Sequence, residues 1–586
     1  MSLLFKLVNE GFKLCLDGET AFEVEREPAL TRVFGQRGGR VCFQALLRSE
    51  EAAIWNLGQE PWFSQQGPLL HLRLELRAPY PLRAWHEQLH LDDDGNLRAD
   101  ALLPHPVREL RAKETAAAFF ELELPADARL DEGQGIELRL YASRLTGEER
   151  LVERLELPLT VYAARQLAPE ERPIYLDLWQ HPCNIARKHE AALWSQEHFE
   201  AMEGYAKALA GLGQRSITVL LSDAPWRGQS CMQNQRNPSN LFEYSMARIF
   251  RGKDGSLRFD FSIVDRVIEL FERCGVQGEI ECFGLVNIWP NQIFDPKPLV
   301  EGDVEPQISL RCLNESSGSY EYLHDTQEVE EYFRAVERHF VQTGRVERVR
   351  VAADEPADPE RFERAVERLR RCAPRLRLRT AINHADFIGR FGQQIDEFVP
   401  NLESSCKEYE RLKAYQKAMP DKRFLWYVCC VPDHPNTFLR SKLLEARLIG
   451  PLSYLLGFDG FLRWNFTVWP EDPRLDIRYG NFAAGDTNFV YPGRGREPLL
   501  SLRYKALQRG LEDHALLCQA PKEAAEQALG LIFRKRDPRD FLQDRAGELL
   551  DLQQICSTAY DTSGKRPFPQ TASSHWAIMD SWVLRS

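Results

Sequence analysis

The sequence has no long uninterrupted hydrophobic run and no excess of positive charge. No stretch of its 586 residues approaches the roughly 20 apolar residues that a membrane-spanning helix needs. Lys6, Asn9 and Glu10 interrupt the apolar residues at the start, and no small-residue cleavage site follows, so we expect no signal peptide. The 75 basic and 87 acidic residues give a net charge of −12, which argues against nucleic acid or an anionic membrane as the partner.

The motifs of several enzyme classes are also missing. The chain contains no Walker sequence, no GxSxG and no CxxC, and His181, His189, His384 and His434 show neither HxH nor HExxH spacing among themselves, so we predict neither a cofactor nor a metal. The glycine-containing segment GLGQRS (211–216) precedes a strand instead of following one, which is typical of a helix C-cap and turn. The thirteen cysteines are odd in number and irregularly spaced, and a disulfide between adjacent Cys429 and Cys430 would be strained. Reduced thiols favour a cytoplasmic protein.

What is present is an ordinary globular composition with two different patterns. Hydrophobic residues make up 43% of the chain and aromatic residues 10%, enough for large cores. Over residues 1–165, segments such as LLHLRLELRAPY, AAFFELELPA, GIELRLYASRL and RLVERLELPLTVYAA alternate apolar and polar residues. This period of two predicts half-buried antiparallel strands, and we expect an N-terminal β-sandwich. The polar segment RQLAPEERP (165–173) is a plausible linker.

From residue 172 to 520, short apolar runs alternate with helical segments. Eight runs are counted, at 174–179, 216–223, 279–285, 348–356, 376–382, 401–406, 423–430 and 460–466, of which 401–406 is the weakest. Eight strand–helix units predict a (β/α)8 TIM barrel, and a doubly wound open sheet is the competing architecture. Residues 521–586 are predicted to form a short C-terminal helical extension and an irregular tail.

The ends of the predicted barrel strands carry aromatic, amide and carboxylate side chains. Chemistry in such barrels takes place at the carboxyl ends of the strands. Because sugar faces stack on aromatic rings and carboxylates handle hydroxyl groups and protons, this rim is typical of a carbohydrate site. The candidate substrate-binding residues are Trp179, Trp226, Asn383, Tyr427, Trp464, Asn465 and Trp469. For Trp464 and Trp469, site and core positions are equally compatible with the sequence, whereas Trp194, in a helical segment, is predicted to be core.

The fourth predicted strand ends in two adjacent carboxylates, Asp354 and Glu355, followed by Pro356. Neighbouring side chains on a strand point to opposite faces, so both can enter one pocket only where the strand ends and bends. Pro356 supplies such an end because it has no N–H to donate. A solvated pair on a loop is the alternative, and the aromatic rim favours the pocket.

The last third of the predicted barrel resembles a known family. The segment FLWYVCCVPDHPNTFLRSKLLEARLIGPLSYLLGFDGFLRWNFTVWPEDP (424–473) and the segment GDTNFVYPGRGREPLLSLRYKALQRGLEDHALL (485–517) resemble the domain-of-unknown-function family 4091. They also resemble the related glycoside hydrolase family 123 of β-N-acetylgalactosaminidases, whose architecture is a β-sandwich followed by a barrel. The stretch ADEP (353–356) is similar to the Asp–Glu catalytic pair of that family, whereas over the first 165 residues the resemblance is architectural.

The resemblance implies a retaining hydrolase in which the 2-acetamido oxygen of the substrate attacks the anomeric carbon. If the roles of the family's Asp–Glu pair apply to this sequence, Asp354 orients the acetamide and Glu355 is the general acid and base. Tyr427 is a third donor to the acetamide oxygen and Trp464 the stacking wall, both placed by their positions at strand ends. The expected partner is an oligosaccharide or glycoside, with neither nucleic acid nor membrane involved.

Two alternatives remain open at this point. In the first, a glycosidase acts on sugars without an acetamido group and uses Glu355 with a carboxylate nucleophile from another strand, such as Asp177, Asp223 or Glu403. In the second, the protein binds carbohydrate without cleaving it. The sugar, the linkage and the oligomeric state are not specified by the sequence.

Overall fold

The structure is a computed structural model, and it describes residues 2–17, 20–21, 24–58, 67–129, 134–144, 147–226, 242–286, 308–356, 358–533 and 537–540. The part of the predicted C-terminal extension and tail from residue 541 onward lies outside the described residues. No helix in the described part of the chain is long and apolar enough to cross a membrane.

The N-terminal region is built from two β-sheets. Its strands are β1 (Leu3–Asn9), β2 (Cys15–Asp17), β3 (Thr20–Ala21), β4 (Val33–Arg37), β5 (Arg40–Ser49), β6 (Ala53–Asn56), β7 (Leu70–Arg77), β8 (Leu82–Leu91), β9 (Leu97–Leu103), β10 (Val107–Leu110), β11 (Thr115–Glu123), β12 (Gly135–Arg144) and β13 (Arg150–Arg165). The seven-stranded sheet has the order β1-β5-β11-β8-β9-β2-β3, and the six-stranded sheet has the order β10-β6-β7-β12-β13-β4.

A single apolar cluster lies between strands of both sheets. Phe43 of β5 and Phe120 of β11, from the first sheet, stack at 5.0 Å between ring centroids. Leu72 of β7 and Leu138 of β12, from the second sheet, belong to the same buried cluster. The alternation predicted from sequence therefore places one face of each sheet in a common core.

The second region contains eight parallel strands in a nearly closed barrel. The strands are β14 (Tyr175–Leu178), β15 (Ser216–Leu220), β18 (Glu279–Phe283), β21 (Val349–Asp354), β22 (Arg377–Ile382), β23 (Glu397–Pro400), β24 (Arg423–Val428) and β25 (Gly460–Arg463). Their order is β14-β25-β24-β23-β22-β21-β18-β15, and Leu176 bridges to Gln214 just before β15. Gly460 is required where β25 meets β14, because a Cβ there would lie 1.9 Å from the Tyr175 carbonyl oxygen. This arrangement excludes the open doubly wound sheet.

The sixth strand differs from its prediction. The expected strand at 401–406 is mostly a short helix, α7 (Leu402–Lys407), and the barrel strand β23 precedes it. Asn401 caps this helix, since its side chain accepts a hydrogen bond from the Ser404 N–H at 2.7 Å. The strand β23 has only the four residues EFVP, which begin with a charged side chain and end in a proline, so its sequence gives a weak strand signal.

Helices separate most of the barrel strands and extend beyond the last one. They are α1 (Pro182–Lys188), α2 (Gln196–Leu212), α3 (Ser262–Arg273), α4 (Thr326–Gln342), α5 (Pro359–Cys372), α6 (Asp386–Phe391), α7, α8 (Tyr409–Ala418), α9 (Leu443–Leu456), α10 (Leu502–Gln519) and α11 (Lys522–Ile532). Gly213 follows α2 with a φ of 89°, so the GLGQRS segment is the predicted helix C-cap. Trp194 lies in the turn before α2 instead of in a helix, but it packs against the barrel core as expected.

A small additional sheet was not predicted. It is formed by β16 (Arg248–Arg251), β17 (Leu257–Asp260), β19 (Arg311–Asn314) and β20 (Ser319–Tyr322), in the order β17-β16-β19-β20. The two hairpins follow the barrel strands β15 and β18, so the sheet stands on the side of the barrel where the strands end. A shorter hairpin, β26 (Tyr491–Pro492) with β27 (Pro498–Leu499), follows β25.

Buried ion pairs connect the N-terminal sheets to α10. Arg503 pairs with Asp100 at 2.8 Å, and Lys505 pairs with Glu121 at 2.8 Å. Arg40 reaches Glu512 at 2.8 Å. Each pair joins a strand of the seven-stranded sheet to the helix that follows the barrel, so the two regions share one buried polar interface.

Candidate active site

The adjacent carboxylates lie at the end of β21, where the backbone turns sharply. Asp354 is the last residue of the strand and is aligned with Ala381 of β22. Glu355 donates its backbone N–H to the Ala381 carbonyl at 3.1 Å and has a φ of 44°. A left-handed backbone is uncommon for a residue with a side chain and is often found at functional sites. The turn removes the strict alternation of the strand, which allows both side chains to face the barrel mouth.

Glu355 reaches across the barrel mouth to Tyr427 of β24. The two strands are separated by β22 and β23 in the sheet, yet the Tyr427 hydroxyl donates a hydrogen bond to Glu355 Oε1. Burial raises the pKa of Glu355, and the hydrogen bond from Tyr427 partly offsets this effect. The carboxyl therefore holds its proton to higher pH than an exposed glutamate does, which is the property that a general acid needs.

Asp354 and Tyr427 are also close to each other. Tyr427 is 3% exposed, and burial together with the charges of Glu355 and Asp354 raises its pKa well above that of a free tyrosine. Asp354 itself is half-buried. The structure therefore brings Asp354, Glu355 and Tyr427 together as one group that can carry a proton, hold a negative charge and donate a hydrogen bond.

Trp464 follows β25 at the same rim and is held by two contacts. Its indole N–H donates to Asp486 Oδ1 at 3.1 Å, and its ring packs on Phe482 at 4.9 Å. Asp486 is fully buried and pairs with Arg463 at 2.5 Å. Because Trp464 remains half-buried, part of its surface is open in an orientation fixed by its neighbours.

The neighbouring residues Asn465 and Trp469 are buried completely. Trp469 donates its indole N–H to the Val490 carbonyl at 2.7 Å and lies 5.7 Å from the Tyr205 ring. Asn465 Oδ1 accepts a hydrogen bond from the Val468 N–H at 3.2 Å. Both side chains are 0% exposed, so in this conformation they support the loop after β25 and present no face to a ligand.

Trp179 and Trp226 form an aromatic cluster at the ends of β14 and β15. Their ring centroids are 6.0 Å apart, and each ring lies 4.8 Å from Phe283. Both are 3% exposed. Asn383, after β22, is exposed, and its backbone carbonyl accepts a hydrogen bond from Ser404 Oγ. The structure thus places the two tryptophans as packing at the rim and leaves Asn383 at its surface.

Three other carboxylates named from sequence have different surroundings. Asp177 is fully buried and pairs with Arg379 at 2.5 Å inside the barrel. Asp223 is buried, and it lies 3.1 Å from Arg311 Nε and accepts a hydrogen bond from Tyr322. Glu403 lies on α7 and pairs with Lys407 at 2.5 Å. Each of the three carboxylates is therefore already paired with a cation.

Asp486 and Arg463 are site-supporting residues that the sequence reasoning missed. Arg463 also donates to the Val428 carbonyl at 2.9 Å, which ties β25 to the end of β24. Asp486 lies within the segment GDTNFVYPG, but nothing in the spacing of that loop showed that it would fold back under Trp464. Within the described ranges, no three His, Cys, Asp or Glu side chains are grouped in a way that could hold a metal ion.

Comparison with known proteins gives a family match over the barrel. The model of the catalytic domain of glycoside hydrolase 123 matches residues 179–519, more than half of the chain. A family 123 glycoside hydrolase from Clostridium perfringens, solved in a study of glycolipid glycan hydrolysis, aligns with a TM-score of 0.69 and 15% identity. The alignment covers 100% of this chain and 97% of that chain, so the similarity in fold extends over both regions.

Other solved structures match more weakly. A β-D-glucuronidase from Dictyoglomus thermophilum aligns with a TM-score of 0.28 and 11% identity over 81% of this chain and 66% of that one. A GH10 xylanase from Thermobacillus composti aligns with a TM-score of 0.30 and 13% identity over 58% and 98%. No curated protein sequence matches the chain. The family match over the barrel shows that the chain belongs to glycoside hydrolase family 123 and is a glycoside hydrolase.

Proposed function

We propose that the protein hydrolyses β-linked N-acetylhexosaminides, with N-acetylgalactosamine as the preferred sugar, by a retaining and substrate-assisted mechanism. The observation that carries this proposal is the grouping of Asp354, Glu355 and Tyr427 at one end of β21 and β24. Two adjacent acids on one strand cannot sit on opposite sides of a glycosidic bond. A protein nucleophile would have to come from another strand, about 5 Å from the acid.

In the proposed reaction the acetamido oxygen of the substrate attacks the anomeric carbon and forms an oxazolinium-like intermediate. Asp354 accepts a hydrogen bond from the acetamide N–H and stabilises the positive charge that develops there. Glu355 protonates the leaving oxygen in the first step, and as a carboxylate it removes a proton from water in the second. The raised pKa of Glu355 suits the first of these roles, since it favours the protonated form of the acid.

Tyr427 and Trp464 are proposed to bind the sugar. The Tyr427 hydroxyl, which donates to Glu355 in the structure, turns to the acetamide oxygen when the substrate enters. Trp464 supplies the apolar wall against which the sugar ring stacks, in the orientation that Asp486 fixes. Asn383 lies at the surface of the same rim and is proposed to contact the part of the glycoside that extends outward.

The domain organisation is proposed on the same basis. We propose that residues 1–165 form a β-sandwich domain, that 172–520 form the (β/α)8 catalytic barrel and that 521–586 form a C-terminal extension. The common core of the two N-terminal sheets and the end of β13 at Arg165 support the first boundary.

We also propose a cytoplasmic location. The eleven described cysteines are all free thiols, which supports a reducing, cytoplasmic setting.

The glycan of a glycolipid is a reasonable substrate to test. The Clostridium perfringens enzyme was solved in a study of glycolipid glycan hydrolysis, and it shares the fold of this chain along its whole length. We therefore propose glycolipid oligosaccharides, together with simple aryl glycosides, as the first substrate panel.

Two substitutions and one inhibitor test the mechanism. Glu355→Gln removes the acid, so hydrolysis of glycosides with poor leaving groups should fall by about 10²–10⁴-fold, whereas activated aryl glycosides should lose less. Asp354→Asn should slow both kinds of substrate, because orientation of the acetamide serves the attack itself. A thiazoline that mimics the cyclised sugar should bind much more tightly than the free sugar.

A different outcome would support a protein nucleophile. If the thiazoline binds no better than the free sugar and a 2-fluoro sugar forms a covalent adduct on Asp177, Asp223 or Glu403, the substrate-assisted mechanism is wrong. If sugars bind but no substrate is cleaved by the wild-type chain, the protein is a carbohydrate-binding member of the family.

A further inference from the structure

Two adjacent thiols stand beside the catalytic group and have no role in the proposed reaction. Cys429 and Cys430 follow β24 directly, two and three residues after Tyr427. Their sulfur atoms are 3.9 Å apart. Cys430 is exposed and Cys429 half-buried, and the charges of Glu355 and Asp486 both act on the Cys430 thiol. The pair is therefore close enough to both the carboxylate and the residue that anchors Trp464 to feel their charges.

The turn that carries the two thiols is held in place by the loop behind it. The Asn436 side chain donates to the Cys429 carbonyl at 2.9 Å and to the Pro432 carbonyl at 2.6 Å. The Asn436 N–H in turn donates to the buried Glu445 of α9 at 3.0 Å. The backbone on both sides of Cys430, at Cys429 and Pro432, is therefore anchored to the loop behind it.

The distance between the sulfur atoms suits a shared ligand atom better than a disulfide. A disulfide requires about 2.0 Å between the sulfurs, and adjacent cysteines reach it only with strain. Two sulfurs that each bind one shared atom through a bond of about 2.3 Å need no bond to each other, so they can stand well beyond disulfide distance. The described residues supply no third metal ligand here, so the site fits an atom that takes two sulfurs and already carries a further substituent.

We propose that Cys429 and Cys430 form a two-thiol binding site for trivalent organoarsenic compounds at the rim of the active site. With an arsine oxide, R–As=O, both S–H bonds and the As=O bond break and two As–S bonds form. The two protons leave with the oxygen as one molecule of water, and no oxidation or reduction takes place. The bound R–As group then occupies the space between Glu355 and Trp464, so hydrolysis is blocked until a competing dithiol removes it.

The lowered pKa of Cys430 indicates which of the two As–S bonds forms first. The contact between the Cys429 and Cys430 sulfurs lowers the pKa of Cys430 despite its partial burial. Cys430 is also the more exposed of the two, so it meets the reagent first. Cys429 then closes the second bond.

Phenylarsine oxide is the probe that tests the site. The full-length chain is treated with one equivalent, passed through gel filtration in excess 2-mercaptoethanol and measured by intact mass spectrometry. We expect one phenylarsenic group per chain that survives the monothiol and is released by 2,3-dimercaptopropanol. Hydrolysis of the best substrate should fall more than tenfold and recover after the dithiol. The mass measurement does not depend on the proposed reaction.

Three serine variants localise the effect. Cys430→Ser and Cys429→Ser should each lose the monothiol-resistant adduct, while Cys518→Ser, which removes an exposed cysteine on α10, should keep it. Circular dichroism confirms that each variant is folded, and the exposed position of Cys430 makes its variant the decisive one. An adduct that persists in Cys430→Ser overturns the site, and an adduct that leaves hydrolysis unchanged overturns its placement at the rim.

Discussion

Glu355 combines a left-handed backbone, burial and a hydrogen bond from another strand. Its φ of 44° directs the side chain away from the path that the strand would impose, and its partner Tyr427 comes from β24. A solvated loop carboxylate has none of these features. At the scale of the residue, the adjacent acids are thus explained by the bend that follows Asp354, which the sequence signalled through Pro356.

The Tyr427→Phe variant tests the coupling between Tyr427 and Glu355. The hydrogen bond from Tyr427 stabilises the ionised form of Glu355 and lowers its pKa, so its loss should raise that pKa further. Because the general acid is active when protonated, the alkaline limb of the kcat/KM profile should move to higher pH. The value of kcat should fall by about 10²–10³-fold if the hydroxyl also serves the acetamide oxygen. A limb that stays in place or moves to lower pH contradicts this role.

The two tryptophans after β25 should respond differently to truncation. Trp464→Ala removes a half-buried ring from the rim, so KM should rise about tenfold, with a small effect on the free energy of unfolding. Trp469→Ala removes a fully buried ring and should cost about 3–5 kcal/mol of stability. Steady-state kinetics and chemical denaturation of both variants check this. An unchanged KM in Trp464→Ala would remove Trp464 from the substrate site.

At the scale of the elements, the barrel interior contains a buried charge cluster that joins four strands. Arg379 of β22 lies 2.5 Å from Asp177 of β14, 3.0 Å from Glu281 of β18 and 2.8 Å from Glu397 of β23. Burial and the neighbouring carboxylates raise the pKa of Glu281 well above its usual value. The cluster holds together strands on different sides of the barrel and keeps Asp177 paired inside it.

The Arg379→Met variant should destabilise the barrel by about 3–5 kcal/mol, because it leaves buried carboxylates without their cation. The loss should shrink as the pH falls, since the carboxylates of the variant can then take up protons. Glu281→Gln is the matched control. Burial and the neighbouring carboxylates favour the protonated form of Glu281, so a neutral amide should be tolerated at this position. Urea denaturation at two pH values measures both effects, and equal stability of Arg379→Met and wild type would contradict the account.

Elements with strong local patterns were predictable, and elements defined by distant contacts were not. The segment PERFERAVERLRRC has an N-cap aspartate, an early proline and apolar residues at helical spacing, and it forms α5 as expected. The short strand β23 lacks alternation, and the additional sheet of β16, β17, β19 and β20 forms between two separate loops. The fold of Asp486 under Trp464 likewise depends on a contact between residues 22 positions apart.

At the scale of the whole molecule, the N-terminal sheets are a structural part of the hydrolase. Asp100 of β9 is buried against Arg503 and also accepts a hydrogen bond from the Tyr491 hydroxyl, and both partners belong to the segments that follow the barrel. Lys505 and Glu121 add a second buried pair at the same interface. These contacts fix α10 and the loop after β25, and the same loop carries Asp486 beneath Trp464.

The central claim is that the acetamido group of the substrate provides the nucleophile. The most direct measurement compares hydrolysis of an aryl β-N-acetylgalactosaminide with that of the aryl β-galactoside that has the same leaving group and lacks the acetamido group. The account predicts that the wild-type enzyme hydrolyses the N-acetylgalactosaminide. It predicts that the wild-type enzyme hydrolyses the galactoside no faster than the Asp354→Asn variant hydrolyses that same galactoside. Comparable turnover of both sugars by the wild-type enzyme would contradict substrate assistance and require a carboxylate nucleophile from another strand.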